Sequence, residues 1–194
     1  MAQFKVFTSG IEVNGETVLS VVSGMGAFKA VALSLLQEQG IEEPAPGRWY
    51  SQQAWLDAFE AISAKVGDQT LYAIGKQIPE NAQFPPEINS LEAALQAIDV
   101  AYHMNHRSAG APLFDARTGR MREGIGHYQY EAAGDRKIKM TCHNPYPCDF
   151  DRGIIEAMAK RFKPAGAVLV RVKHDDTAPC RKTGGDSCAY WVEW

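Results

Sequence analysis

Four cysteines stand in the second half of the chain, at positions 142, 148, 180 and 188, and three of them have the spacing of a metal clasp. Cys148 opens a run with helical periodicity, whereas Cys180 and Cys188 bracket a Gly184-Gly185 turn. Thiolates are soft ligands that hold zinc tetrahedrally, and paired glycines let the backbone fold back so that both downstream sulfurs reach one ion. All three lie on connections between elements, where loops at one end of a sheet can converge on a cation. Such a clasp would tie down the 175–185 segment, which has little apolar sequence to anchor it. With four ligands the site is closed and structural. The competing account is three buried or disulfide-linked thiols, the latter favoured only in an oxidising compartment.

A second constellation is Asp99, His103 and His106, at i, i+4 and i+7 of a helical stretch and hence on one stripe, with Arg107 adjoining. Two imidazoles and a carboxylate can bind iron, zinc or the polar end of a ligand. The plainer account is that histidines and an arginine in a last helical turn meet its free carbonyls and dipole. One imidazole beside an apolar cleft also suffices as an axial haem ligand, and without a Cys-x-x-Cys-His motif any haem would be non-covalent. Tyr102 on the same helix, with Trp49 and Tyr50 just before a helix cap, complete a candidate ligand-binding set of His103, His106, Tyr102, Trp49 and Tyr50. Trp55 and Phe59, at helical spacing, read as core.

The elements that must position these residues follow from periodicity. Asn14-Gly15 between apolar runs predicts a hairpin whose returning strand covers 18–22. Helices are expected over 27–40, from Ser51 to Gly67, over 70–77, and from Ser90 through Leu91, Leu95, Ile98 and Tyr102 to an end at 107–110. The proline-bearing stretch 78–86 should be irregular. Strands are expected at 126–131, 136–142, 167–172 and 188–194, with a helix starting at Asp151 that carries Ile154, Ile155, Met158 and Phe162. Gly24-Met25-Gly26 resembles a phosphate-cradling turn, but its third glycine is replaced by Lys29, so a plain turn is the better account. The expected class is α+β, with helices packed against an antiparallel sheet. The 194 residues are expected to form one domain, helix-rich over 1–110 and strand-rich over 111–194.

Around its cysteines the chain resembles the 4-vinyl-reductase-like small-molecule-binding domain, found in bacterial sensor proteins and phenol-responsive sensor modules. The likeness covers roughly residues 102–194. It is carried by helix-entry Cys148, the following helix and strand, Cys180-Arg181-Lys182-Thr183-Gly184-Gly185-Asp186-Ser187-Cys188, and the closing Ala189-Tyr190-Trp191-Val192-Glu193-Trp194. The resemblance implies zinc on Cys148, Cys180 and Cys188 with an acidic residue shortly before Cys180. Thr177 stands where that acid belongs, so Asp176 is the expected fourth ligand, with His174, Cys142 and His143 as alternatives. It also implies a fold akin to haem nitric-oxide sensors and a cavity for a hydrophobic, aromatic or tetrapyrrole ligand, haem included.

A net charge of −3 with interspersed signs gives no basic stripe for nucleic acid. The first residues lack a signal core and no apolar run reaches membrane-spanning length, so a cytoplasmic location is expected. No nucleophile elbow, His-Glu-x-x-His helix or close carboxylate pair is present. The expected function is a stand-alone sensor with structural zinc, signalling as a homodimer or through a partner protein. The alternative is an enzyme or accessory protein of tetrapyrrole metabolism, with His103, His106 or His127 handling protons.

Overall fold

The computed structural model describes residues 3–194; residues 1 and 2, part of the stretch read for a leader, lie outside the described residues. The chain runs β1 (Ile11–Asn14), α1 (Gly15–Gly24), α2 (Lys29–Glu38), β2 (Trp49–Ser51), α3 (Gln52–Val66), α4 (Asp68–Glu80), α5 (Leu91–Met104) and β3 (His106–Ser108). It continues through β4 (Ala111–Pro112), β5 (Phe114–Asp115), β6 (Arg120–Met121), β7 (His127–Ala132), β8 (Lys137–His143), α6 (Cys148–Arg161), β9 (Arg171–His174) and β10 (Cys188–Glu193). Two antiparallel four-stranded sheets, ordered β2-β1-β3-β4 and β7-β8-β10-β9, carry the helices, and β5-β6 is a small ribbon. The α+β architecture is as expected.

Local chemistry explains the well-read helices. Ser51 and Ser90 accept the backbone N–H groups of Ala54 and Ala93, capping α3 and α5, and such a cap is worth about 1 kcal/mol. α3 then buries Trp55, Phe59 and Ile62, and α5 buries Leu91, Leu95 and Ile98, as their helical spacing requires.

The hairpin expected at Asn14-Gly15 is instead the start of a helix. Asn14 accepts from the Thr17 N–H as the N-cap of α1, so residues 18–22 are helical rather than a returning strand. Gly15 is required by close approach, because a Cβ there would lie 1.9 Å from the Ala45 carbonyl oxygen. Gly24-Met25-Gly26 accordingly joins two helices and follows no strand.

Four further differences concern boundaries. α4 is longer than 70–77 and runs through Pro79, which supplies no N–H to its last turn. Residues 106–108, expected as a helix end, form β3 paired with β1. α6 starts at Cys148 rather than Asp151, with Asp151 buried in its first turn. The apolar run 167–172 is strand only from Arg171; Val168 is 95% exposed, whereas Val170 is buried in the core.

α4 and α6 touch through glycines. A Cβ on Gly75 would lie 2.1 Å from the Phe150 carbonyl oxygen, and one on Gly153 would lie 2.3 Å from that of Tyr72. This contact sets α6 deep against the helical layer, while its other side covers the β7-β8-β10 face, where Tyr128, Cys142 and Cys188 stand in one row. One buried apolar cluster extends from Ile11 to Val192. Among the described residues no single helix is long and apolar enough to cross a membrane.

Candidate functional site

Between α1, α3, α4, α5 and α6 lies a chamber of about 180 Å³. Trp55, Ile98, Phe150, Ile154 and Met158 give it apolar walls, and Tyr102, His106, Tyr128 and Tyr146 give it polar edges. Glu16, Asn81 and Asn105 also line it.

The polar edges are already committed to one another. The His106 Nδ1–H donates to the Tyr102 carbonyl at 2.7 Å, which leaves Nε2 to accept the Tyr146 hydroxyl at 2.6 Å. Tyr146 in turn accepts from Gln52 Nε2 at 3.1 Å. Tyr102 donates to the Ile125 carbonyl and Tyr128 to Asp151, at 2.7 and 2.6 Å. Burial pushes His106 down to about 4, so it is neutral in this network at physiological pH.

From Tyr128 the hydrogen bonds continue inward. Asp151 Oδ2 accepts from the Arg181 guanidinium, and both side chains are essentially without solvent exposure. Arg181 also donates to the Asn144 carbonyl and side chain, and its Nε and backbone N–H each donate to Cys188 Sγ at 3.4 Å. Burial raises Asp151 to about 6, against the pull of the Arg181 cation. A wall of the chamber is therefore joined through two buried charges to the cysteines.

Cys148, Cys180, Cys188 and His174 converge, with one ligand atom of each within 4.8 Å of the others. The sulfurs stand 2.8, 3.6 and 3.8 Å apart. Zinc–sulfur bonds of about 2.3 Å at tetrahedral angles place sulfurs roughly 3.8 Å apart, so two of these separations fit and the shortest needs to open by about 1 Å. His174 Nε2 is buried with no hydrogen-bond partner, while Nδ1–H donates to Asp176 at 2.9 Å. That is the arrangement of a metal-ligating imidazole oriented by an outer carboxylate. The Cys148 thiol donates to Cys188, which with Arg181 pulls Cys188 toward the thiolate. These residues fit a closed zinc site.

The other residues singled out from the sequence are placed as follows. Asp176 is 94% exposed and lies behind His174 rather than in the cluster. Cys142 is buried outside it, and His143 meets the Phe7 ring at a tilt, centroids 5.1 Å apart. Tyr102 and His106 line the chamber, whereas His103, Trp49 and Tyr50 do not. Trp49 lies under the Arg107 guanidinium, and the Tyr50 hydroxyl accepts from the Ala45 N–H. Asp99 and His103 do lie together, but their third neighbour is His127, because α5 ends at Met104 and His106 follows the strand geometry of β3.

Gln52, Tyr128, Asn144, Tyr146 and Arg181 carry no spacing or motif that marks them as site residues in the sequence. For Asp151 a signal was present: it shares the i, i+3, i+4, i+7 face with Ile154, Ile155 and Met158, where a carboxylate must be paired.

No protein-family model matches the chain, and no curated protein matches it. Solved structures do. An H-NOX protein from S. oneidensis in the Fe(II)NO ligation state has a TM-score of 0.62 at 12% identity, covering 92% of this chain and 97% of that one. The fold is that of the H-NOX domains. An oxygen-binding H-NOX domain related to soluble guanylate cyclases gives 0.60 at 14% identity, covering 93% and 94%. A mutant H-NOX of T. Tengcongensis gives 0.61 at 15%, covering 91% and 94%. The similarity to haem nitric-oxide sensors implied by the cysteine region therefore holds at the level of the H-NOX fold.

Haem itself is tested by the residues present. The two nitrogens of His106 are both engaged, His103 lies outside the chamber lining, and about 180 Å³ is below the ~300 Å³ at which pockets for drug-sized ligands begin. As arranged here, the chamber does not fit a tetrapyrrole.

Proposed function

We propose that this protein is a single-domain ligand-binding sensor on the H-NOX fold, in which the helix-bounded chamber takes a small, uncharged, one-ring ligand. The observation that carries the reading is the chamber itself, apolar-walled, about 180 Å³, with its polar edges paired internally. An engineered apolar cavity of about 150 Å³ binds benzene, so one aromatic ring is the matching size. No unpaired charge is offered to an ionised ligand by the His106–Tyr146 edge, and the Tyr146 oxygen can accept at most one further donor, such as a phenol hydroxyl.

In this reading Cys148, Cys180, Cys188 and His174 hold zinc, with Asp176 orienting the imidazole. The ion would supply structural cross-linking of α6, β9 and β10, with no open position for chemistry. Asp151 and Arg181 join the clasp to Tyr128 at the chamber wall, so a ligand that moves Tyr128 acts on the C-terminal loop. Output would pass to a second copy or to a partner protein in the cytoplasm. The cysteine pattern and this chamber together support kinship with the 4-vinyl-reductase-like domains.

The fold of the neighbours favours a second reading, a tetrapyrrole ligand. It requires His106 to give up Tyr146 and the chamber to widen. Calorimetric titration with phenol decides between them: saturable one-to-one binding, weakened by filling the chamber with Ala101→Phe, supports the first reading. No phenol binding together with stoichiometric haem uptake supports the second.

A further inference from the structure

Asp99, His103 and His127 belong neither to the chamber lining nor to the thiolate cluster, yet one ligand atom of each lies within 4.8 Å of the others. We infer that they form a second, exchangeable cation site for a divalent first-row transition ion, bridging α5 and β7. Two imidazoles and a carboxylate are a borderline donor set that suits zinc, nickel, cobalt or iron rather than magnesium or calcium.

The spacing suits such an ion. Nitrogen and oxygen ligands at about 2.0–2.1 Å from a tetrahedral centre stand roughly 3.3 Å apart. The Asp99 carboxylate is 3.0 Å from His127 Nδ1 and 3.7 Å from His103 Nδ1, and one ring nitrogen of each histidine lies within 4.8 Å of the other residues' ligand atoms.

Each imidazole also has an outer partner for one nitrogen. His103 Nδ1–H donates to the Asp99 carbonyl at 2.8 Å, and His127 Nε2 lies 3.1 Å from the Glu123 carboxylate. Ligating histidines are oriented by such carbonyl and carboxylate contacts.

A purely structural account explains only part of this cluster. Asp99 joins the two elements without any ion, since Oδ1 accepts the Tyr128 N–H at 2.9 Å and Oδ2 meets His127. That leaves His103 Nε2 unexplained. It is fully buried, has no hydrogen-bond partner, and its ring sits 5.0 Å from the ring of His127. A cation seated beside His127 gives this bare lone pair a partner. With His127 27% exposed and Asp99 18%, the ion can enter from solvent. Tyr102 and Tyr128, the chain neighbours of His103 and His127, line the chamber, so the ion would brace its wall.

The test is a titration of metal-stripped full-length protein with Co²⁺, followed by visible absorption and native mass spectrometry. The thiolate cluster produces sulfur-to-cobalt charge transfer, whereas the second ion adds only weak visible bands. The wild type should take two ions. His127→Ala and Asp99→Asn should take one and keep the charge-transfer band, and Cys180→Ser should lose that band while retaining the second ion. Glu123→Gln, a surface change, should weaken the second ion about tenfold or more, which decides the matter should the other variants fail to fold. A wild type that stops at one ion, a His127→Ala protein that takes two, or a Glu123→Gln protein with unchanged second affinity overturns the site. None of these results touches the chamber proposal, which is read by phenol binding.

Discussion

His106 is the residue through which acid should loosen the chamber. It is fully buried, accepts the Tyr146 hydroxyl through Nε2, and is held down at about 4 by burial, against about 6.5 in an unfolded chain. As pH falls the unfolded chain takes up the proton first. The associated stability is complete above pH 6.5 and is lost as pH falls through 4. The gap between about 6.5 and about 4, at roughly 1.4 kcal/mol per pH unit, amounts to about 3 kcal/mol. Asp151 acts in the opposite sense: burial raises it to about 6, so its contribution is present at low pH and is lost as pH rises toward 6. The two offset one another in the wild type, and a variant is needed to separate them. His106→Leu should cost about 1–3 kcal/mol at pH 7, because the Tyr146 hydroxyl loses its acceptor. Between pH 7 and pH 4, measured by urea unfolding, the wild type should lose about 3 kcal/mol relative to His106→Leu. Parallel stability curves for the two proteins would refute the buried neutral latch.

Other perturbations report on other parts of the molecule. Cys180→Ser, at a half-buried position, should release the clasp ion and speed hydrogen exchange across residues 175–185; retained zinc by elemental analysis contradicts the clasp. Arg181→Met should destabilise the fold by about 3–5 kcal/mol in thermal or urea unfolding, because it strands the buried Asp151 carboxylate. Gly153→Ala should cost about 1–3 kcal/mol, since its Cβ meets the Tyr72 carbonyl; a neutral result would show that α4 and α6 are not in backbone contact.

Much of the helical frame was legible because caps and apolar spacing are local signals. Ser51, Ser90 and the stripes they start led directly to α3 and α5. β7, β8 and β10 were legible through alternation, and the cysteines through their turn. What was not legible depended on distant partners. Asn14-Gly15 serves a helix cap as readily as a hairpin, and only the Ala45 carbonyl against Gly15 shows which. The strand at His106–Ser108 exists because β1 lies beside it, and Val168 and Leu169, though apolar, stand exposed just before β9. The same applies to the sites. Helical spacing grouped His106 with Asp99 and His103, but the helix stops two residues short of His106 and β7 delivers His127 instead. The exposed Asp176 yields its place beside the sulfurs to His174, which the β9 strand turns inward. Arg181 lay within the cysteine motif, but its role required Asp151 from another element.

A one-ring chamber and a tetrapyrrole pocket on the same H-NOX fold differ in which ligand they take up. Competitive calorimetry with phenol and haemin on the purified protein separates the two. One phenol should bind per chain, and haemin should leave phenol binding unchanged. Stoichiometric haemin uptake with a sharp absorption band, and no heat from phenol, would contradict the one-ring chamber.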